Sequence, residues 1–161
     1  MRTALDTNIL SAIWSNEPSA RQIAKCLSAA NRDGAITLSA FAYSESLAHP
    51  HATTKFIQEF LHASGIKVEY AFPQNLWSLA GERFAQYAGR RTAMSNQPRR
   101  ILADFLLGAH ALVQADRLMT LDTAFYERNF PELALYPIAW RTPADSPPVL
   151  LIDADPRKSY P

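Results

Sequence analysis

Short apolar segments alternate along this chain with longer segments that carry apolar residues at helical spacing. The predicted strands cover residues 2–5, 35–38, 66–70, 118–120 and 133–138. The predicted helices cover residues 7–14, 18–32, the segment from Ser39 to His49, and residues 52–63, 73–91, 100–114 and 123–129. Strands that are separated by helices pair in parallel, because the chain must cross the sheet between them. The sequence therefore predicts an α/β fold around a mostly parallel five-stranded sheet.

The segment at residues 100–114 is the most apolar of the predicted helices and is hydrophobic on most sides. A helix of this kind is buried, so we expect it at the centre of the molecule. The 161 residues fit one domain with a substantial core. Prolines become frequent beyond Trp140. We therefore divide the chain into a domain of residues 1–140 and a proline-rich C-terminal tail of residues 141–161.

Composition and charge exclude several classes of function. The chain has 16 basic and 15 acidic residues, so any contact with nucleic acid must depend on a local charged surface. Cys26 is the only cysteine, which excludes an intrachain disulfide framework and a cysteine-based zinc site. The sequence has no apolar run of about 18 residues and no leader with a cleavage site. We therefore expect a cytoplasmic protein that does not bind a membrane.

Four acidic residues lie in apolar stretches of sequence, where a carboxylate is costly. They are Asp6, Glu45, Asp104 and Asp122. Burial of an unpaired carboxylate costs several kcal/mol, and a shared divalent cation is the simplest compensation. Mg²⁺ prefers oxygen ligands, and it usually retains waters and a phosphate oxygen besides protein carboxylates. The four acids therefore indicate metal-assisted phosphodiester chemistry.

We expect these acids to meet at one edge of the sheet. Asp6 ends the first strand and Asp122 follows the fourth, and ligands of parallel α/β folds bind outside the carboxyl ends of the strands. Glu45 lies within two turns after the second strand, and Asp104 begins the helix that leads into the fourth. Small residues on the helical face of Asp104 would leave room for an ion and its waters: Gly108 and Ala111.

A structural explanation of the same acids is also open. Asp6 could cap the helix at residues 7–14, and Asp122 could cap the helix at residues 123–129. Glu45 and Asp104 fit this explanation less well. Glu45 has no basic residue three or four positions away, and Asp104 has only Arg100.

Five segments form an ordered pattern that is more specific than any one of them. They are Leu-Asp-Thr-Asn at residues 5–8, Ser-Glu at 44–45, Arg-Ile-Leu-Ala-Asp-Phe-Leu-Leu-Gly-Ala-His-Ala-Leu at 100–112, Ala-Asp-Arg-Leu-Met-Thr-Leu-Asp-Thr-Ala-Phe-Tyr at 115–126 and Phe-Pro-Glu-Leu at 130–133. In order and spacing, this pattern resembles the PIN-domain nucleases, specifically the VapC-type toxins of bacterial toxin–antitoxin pairs. The resemblance covers residues 1 to about 140.

The resemblance implies a three-layer α/β/α sandwich and an endoribonuclease that depends on Mg²⁺ or Mn²⁺, usually as a homodimer. The catalytic, metal-binding acids that it implies are Asp6, Glu45, Asp104 and Asp122. Asn8 and Thr120 match the polar residues that support them. The family pattern also implies a small antitoxin that inserts a segment at the acidic site and often carries the DNA-binding half of the pair. DNA would then be bound only indirectly.

A local basic surface is predicted beside the acids. Four arginines without an intervening acid flank the loop that precedes Asp104: Arg90, Arg91, Arg99 and Arg100. Guanidinium groups suit phosphate oxygens, which favours single-stranded or looped RNA as the ligand. The alternatives are a solvated charged patch, or a site for acidic groups of an antitoxin.

Two other classes of protein with an acid at the end of the first strand fit this sequence less well. A phosphatase with an Asp-x-Asp nucleophile would need a second acid in Asp6-Thr7-Asn8, and a phospho-receiver module would need an acidic pair at the first strand. Neither feature is present. The remaining alternative is a non-catalytic RNA- or partner-binding PIN-like module that uses its acids for ion-stabilised folding. It predicts metal-dependent melting without RNA cleavage.

Overall fold

The computed structural model of the chain describes residues 1–50, 52–92 and 100–138, without the side chain of Thr92. In these ranges the strands are β1 (Arg2–Leu5), β2 (Ala35–Ser39), β3 (Ile66–Glu69) and β4 (Arg117–Met119). The helices are α1 (Thr7–Trp14), α2 (Ala20–Asp33), α3 (Ala40–Ser46), α4 (Thr54–Ala63), α5 (Gln74–Thr92), α6 (Leu102–Gln114) and α7 (Thr123–Asn129). None of these helices is both long enough and apolar enough to cross a membrane. The predicted tail and Arg99 lie outside the described residues.

The sheet has the order β3-β2-β1-β4, and all of its pairings are parallel. The prediction of a fifth strand at residues 133–138 is wrong for the part of the chain that is described. That segment forms one isolated parallel bridge, between Leu118 and Leu135. Leu118 donates to the carbonyl of Ala134, and Tyr136 donates to the carbonyl of Leu118. Pro137 follows at once and has no N–H with which to extend a ladder.

Helices cover both faces of the sheet. Thr3, Ala4 and Leu5 are all buried in β1, and every residue from Ile36 to Ser39 is buried in β2. Successive side chains of a strand point to opposite faces, so burial of consecutive residues requires cover on both sides. The sheet is therefore the middle layer of an α/β/α sandwich, as predicted.

The central position predicted for the apolar helix is confirmed in α6. Residues Phe105 to Ala111 are all buried, and the helix packs against α5, β1 and β4. The Phe105 ring contacts the rings of Phe84, Phe125 and Phe130 at centroid distances of 5.3, 5.2 and 6.2 Å. The helix begins at Leu102 rather than at Arg100, and this start places Asp104 in its first turn.

Gly108 does not have the role that the sequence suggested. A Cβ atom at Gly108 would overlap the ring of Phe130, which is fully buried. The missing side chain therefore admits an aromatic ring into the core, and the expectation that it leaves room for an ion is wrong. Ala111 is likewise a fully buried core residue.

Replacement of Gly108 by alanine should lower the free energy of unfolding by about 1–3 kcal/mol, the usual cost of overpacking a core. Alanine has the higher helix propensity by ~1 kcal/mol, so a loss of stability would have to come from the clash with Phe130. Gly81 in α5 is the matched control, because a Cβ atom there meets nothing within 4 Å. Gly81→Ala should raise the free energy of unfolding by ~0.5–1 kcal/mol. Urea denaturation measures both changes, and a gain of stability in Gly108→Ala would contradict the packing role.

His110 is a core residue of the same helix. It is 1% exposed, and its Nε2 lies 2.9 Å from Oε2 of Glu69. Burial lowers the pKa of His110 from its ordinary value of 6.5, although the hydrogen bond to Glu69 opposes this shift. The imidazole is therefore neutral at pH 7 and donates to Glu69, which ties α6 to the end of β3.

Candidate active site

One cleft at the carboxyl edge of the sheet, with a volume of about 460 Å³, is lined by all the predicted acids: Asp6, Glu45, Asp104 and Asp122. Each acid comes from a different part of the fold. Asp6 follows β1, Glu45 lies in α3, Asp104 lies in α6, and Asp122 precedes α7. The structure therefore brings together side chains that are up to 116 positions apart in the sequence, the separation between residues 6 and 122.

Asp6 is the most buried of these acids, with 9% exposure. Its Oδ2 accepts hydrogen bonds from Asn8 Nδ2 at 2.8 Å, Thr120 Oγ1 at 2.7 Å and Tyr126 Oη at 3.2 Å. Among the described residues, its Oδ1 accepts only a long bond, at 3.4 Å, from the backbone N–H of Asn8. Oδ1 is therefore the oxygen with capacity for a further partner.

The surroundings of Asp6 favour its protonated form. Burial raises the pKa of Asp6 above the ordinary value of 3.8, and the negative charge of Glu45 adds to this effect. The hydrogen bonds from Thr120, Asn8 and Tyr126 stabilise the ionised form and oppose it. A cation bound in the cleft would offset the free-energy cost of ionising the buried Asp6 carboxyl.

Asn8 and Thr120, the predicted supporting residues, both donate hydrogen bonds to Asp6. Besides their bonds to Asp6, Asn8 Nδ2 donates to Thr120 Oγ1 at 3.2 Å. Asn8 Oδ1 accepts from the backbone N–H of Leu121 at 3.1 Å, and Thr120 Oγ1 accepts from that of Asp122 at 3.0 Å. This network joins the end of β1 to the end of β4 and fixes the orientation of the carboxylate.

Tyr126 is a residue of the site that the sequence analysis did not identify. It is buried, and burial together with the charges of Asp6 and Asp104 raises its pKa well above the ordinary value of 10.0. The hydroxyl therefore stays protonated and donates to Asp6. The sequence feature that could have identified Tyr126 is its position four residues after Asp122, because this spacing places both residues on one face of a short helix.

Glu45 is the exposed member of the set. Its Oε2 accepts a hydrogen bond of 2.6 Å from Thr7 Oγ1, a second contact that the sequence did not indicate. The charge of Glu45 contributes to the raised pKa values of Asp6 and Asp104. Its carboxylate is therefore close enough to both to share their electrostatic environment.

Asp104 occupies the third position of α6, where its Oδ2 accepts from the backbone N–H of Ile101 at 3.1 Å. Burial is the main reason that the pKa of Asp104 is raised from 3.8, and Glu45 and Asp122 add to the rise. The Ile101 hydrogen bond and the charge of Arg100 oppose it. The pKa values of Asp104 and Asp6 are thus both raised.

Asp122 is paired with an arginine. Its Oδ2 lies 2.5 Å from Arg100 Nη2, and its Oδ1 caps α7 by accepting from the backbone N–H of Phe125 at 3.3 Å. The guanidinium of Arg100 also lies 4.7 Å from the centroid of the Phe125 ring. Asp6 and Asp122 are therefore both helix caps, as the structural explanation proposed, but both also line the cleft.

The donors of the cleft fit a hard divalent cation in kind, because the four acids offer only carboxylate oxygens. Within residues 1–50, 52–92 and 100–138, no three His, Cys, Asp or Glu side chains are grouped so that they could hold a metal ion. The acids are instead engaged with protein donors such as Thr7, Ile101 and Arg100. Metal binding would require some of these carboxylates to turn away from those donors and into the cleft.

The predicted basic residues do not all lie together. Arg100 lines the acidic cleft, and Arg90 lies beside a neighbouring cavity with its Nη2 2.7 Å from Asn129 Oδ1. Arg91 lines neither of these two cavities. The fourth predicted residue, Arg99, is outside the described residues.

The PIN domain family model matches residues 3–131 of this chain. A search of curated proteins finds no significant match. Among solved structures, VapBC2 from Rickettsia felis, bound to a DNA fragment from their promoter, is similar with a TM-score of 0.62 and 19% identity over 84% of this chain and 97% of that one. VapBC-1 from nontypeable Haemophilus influenzae has a TM-score of 0.56 and 18% identity over 84% and 96% of the two chains. These likenesses are likenesses of fold, whereas the match over residues 3–131 shows that the chain belongs to the PIN-domain family.

Proposed function

We propose that this protein is a metal-dependent endoribonuclease that hydrolyses RNA phosphodiester bonds as the toxin of a toxin–antitoxin pair. The observation that carries the proposal is the cleft in which four carboxylates from separate elements lie together. Membership of the PIN-domain family supports nuclease activity. The similarity of the fold to VapBC complexes supports the toxin class.

The metal would be Mg²⁺ or Mn²⁺, held by Asp6 and Asp104, with Glu45 and Asp122 as further ligands or as acceptors for its waters. When bound, such an ion lowers the pKa of a bound water and neutralises charge on the phosphate oxygens. Oδ1 of Asp6 has capacity for this contact. The bonds from Asn8, Thr120 and Tyr126 to Asp6 would hold that ligand during the reaction.

The remaining steps fall to side chains of the protein. Glu45 is exposed, and we assign it as the base that accepts a proton from the attacking water. Arg100 lies at the edge of the cleft and can donate two parallel hydrogen bonds to a phosphate. Contacts of this kind position a strand without reading its sequence.

The partner that we propose is a small antitoxin that inserts a segment at the acidic cleft, and DNA would be bound only through it. The two similar structures are VapBC assemblies, and that from Rickettsia felis is bound to a DNA fragment from the promoter. We also propose that the protein forms a homodimer and that it is located in the cytoplasm.

Incubation of the purified protein with RNA tests the chemistry directly. We expect cleavage with Mg²⁺ or Mn²⁺ and no cleavage with EDTA, because four carboxylates cannot activate water or approach a phosphate without a cation. A melting curve with and without Mg²⁺ should accompany the assay. If the metal raised the melting temperature and no RNA were cleaved, the non-catalytic PIN-like module would be the better explanation.

A further inference from the structure

A second cavity of about 190 Å³ adjoins the acidic cleft. It shares Arg100, Asp122 and Phe125 with that cleft, and it also contains Arg90 and Arg128. We call this second cavity the arginine groove. Its position means that a strand leaving the acids past Arg100 would enter it.

The arginine groove carries positive charge that no acidic residue in the described part of the chain neutralises. Three arginines line it, and Asp122 is the one acid among its lining residues. Arg100 is paired with Asp122, but Arg90 donates to a neutral group, the amide of Asn129. Arg128 is exposed, and its side chain makes no hydrogen bond or ion pair within the described part of the chain. Two guanidinium groups therefore remain without an acidic partner there.

The groove is suited to a phosphate rather than to a base. Its two aromatic rings, Tyr87 and Phe125, are only 7% and 6% exposed. The guanidinium of Arg100 already covers Phe125, and the hydroxyl of Tyr87 accepts from the backbone N–H of Arg100. Neither ring is available for a base to stack on, whereas guanidinium forks match phosphate oxygens.

We propose that the arginine groove binds the backbone phosphate next to the cleaved one in single-stranded RNA, through Arg90 and Arg128. This inference rests on the proposed ribonuclease function and adds a subsite to it. Arg128 was not among the arginines that the sequence suggested, because it lies 28 positions beyond Arg100, on α7. A phosphate contact of this kind fixes the register of the strand and is independent of its sequence.

Binding of a labelled single-stranded RNA oligonucleotide, measured by fluorescence anisotropy in EDTA at several NaCl concentrations, tests the groove. We expect Arg128→Ala to weaken binding several-fold and to lower the slope of log K against log salt. In Arg90→Ala/Arg128→Ala, which removes the whole phosphate contact, the slope should fall by about 0.7, the value for one phosphate contact of a single strand. Arg21→Ala is the matched control, since Arg21 is exposed on α2 and lines neither cavity.

Cleavage assays with Mg²⁺ separate this proposal from the proposed function. In the double variant we expect a raised KM with a nearly unchanged kcat. Suppose that the wild-type chain cleaves RNA but the groove variants bind RNA with unchanged affinity and slope. The proposed phosphate subsite is then wrong, and the proposed ribonuclease function is retained. If the wild-type chain neither cleaves nor binds RNA, both proposals fail. Polyglutamate is the comparison ligand: a loss of polyglutamate binding with RNA binding intact would overturn the groove in favour of an acidic protein partner.

Discussion

Replacement of Asp6 by asparagine should abolish RNA cleavage while leaving the fold intact. The asparagine oxygen can accept the bonds from Asn8, Thr120 and Tyr126, but the side chain loses the charge that a divalent cation needs. Loss of a residue that only supports a metal ligand costs roughly 10–100-fold. Loss of a ligand itself should cost more, on the order of a thousandfold or greater in the rate of RNA hydrolysis with Mg²⁺.

Asp33→Asn is the control for this substitution. Asp33 forms an ion pair with Arg117 at 2.9 Å, its side chain is 52% exposed, and it does not line the cleft. The asparagine oxygen can still accept a hydrogen bond from Arg117, whose side chain is 15% exposed, so cleavage should stay at the wild-type rate and the melting temperature should change little. Cleavage by Asp6→Asn at the wild-type rate would remove Asp6 from the catalytic site.

Asp6→Asn should also change the stability of the fold in a pH-dependent way. Because the folded-state pKa of Asp6 is raised above 3.8, the folded protein retains a proton that the unfolded chain has lost. The stabilising contribution of that proton is complete below pH 3.8 and is lost as the pH rises through the raised pKa. In EDTA, Asp6→Asn should therefore melt at or above the wild-type temperature at neutral pH. The difference between the two should shrink as the pH falls toward 4. A variant that melts well below wild type at pH 7 would mean that the charge of Asp6 stabilises the fold.

The elements of this fold were predictable where their signals are local. β1 and α1 lie at the predicted residues, because an apolar run followed by an N-cap aspartate marks both elements and the boundary between them. The segment at residues 133–138 has the composition of a strand, but a strand also needs a partner along its length. Its single bridge to Leu118 depends on tertiary structure that composition does not contain.

The acids of the candidate site could be identified from sequence, whereas their contacts could not. A carboxylate in an apolar segment is conspicuous, and parallel topology places strand ends at one edge. A helical pattern shows that Gly108 shares a face with Asp104, but it does not show that Phe130 packs on that face. The pairing of Arg100 with Asp122 likewise joins residues 22 positions apart through the fold.

Replacement of Arg100 by methionine should have opposite effects on the two ligands of the site. Arg100 neutralises Asp122 at 2.5 Å and also lowers the pKa of Asp104, so it competes with a divalent cation for the charge of the acids. Methionine keeps an unbranched apolar side chain against Phe125 but lacks the charge. We expect Mg²⁺ or Mn²⁺ to bind about tenfold more tightly, which is ~1.4 kcal/mol. Binding of RNA should become weaker, because a phosphate contact is lost.

Isothermal titration of Mg²⁺ or Mn²⁺ into the RNA-free protein at pH 8 measures the first effect, and anisotropy with RNA measures the second. The alkaline pH matters because loss of Arg100 lets the pKa of Asp104 rise further, and a proton on Asp104 would oppose the ion. Arg90→Met is the matched control, since Arg90 is bonded to the amide of Asn129 and not to an acid. It should weaken RNA binding with little change in metal affinity. Equal gains in metal affinity for the two variants would indicate that the loss of any nearby positive charge favours the cation, without a specific role for the pair of Arg100 and Asp122. A loss of affinity in Arg100→Met would mean that Arg100 orients Asp122 for the ion, not that it competes with the ion.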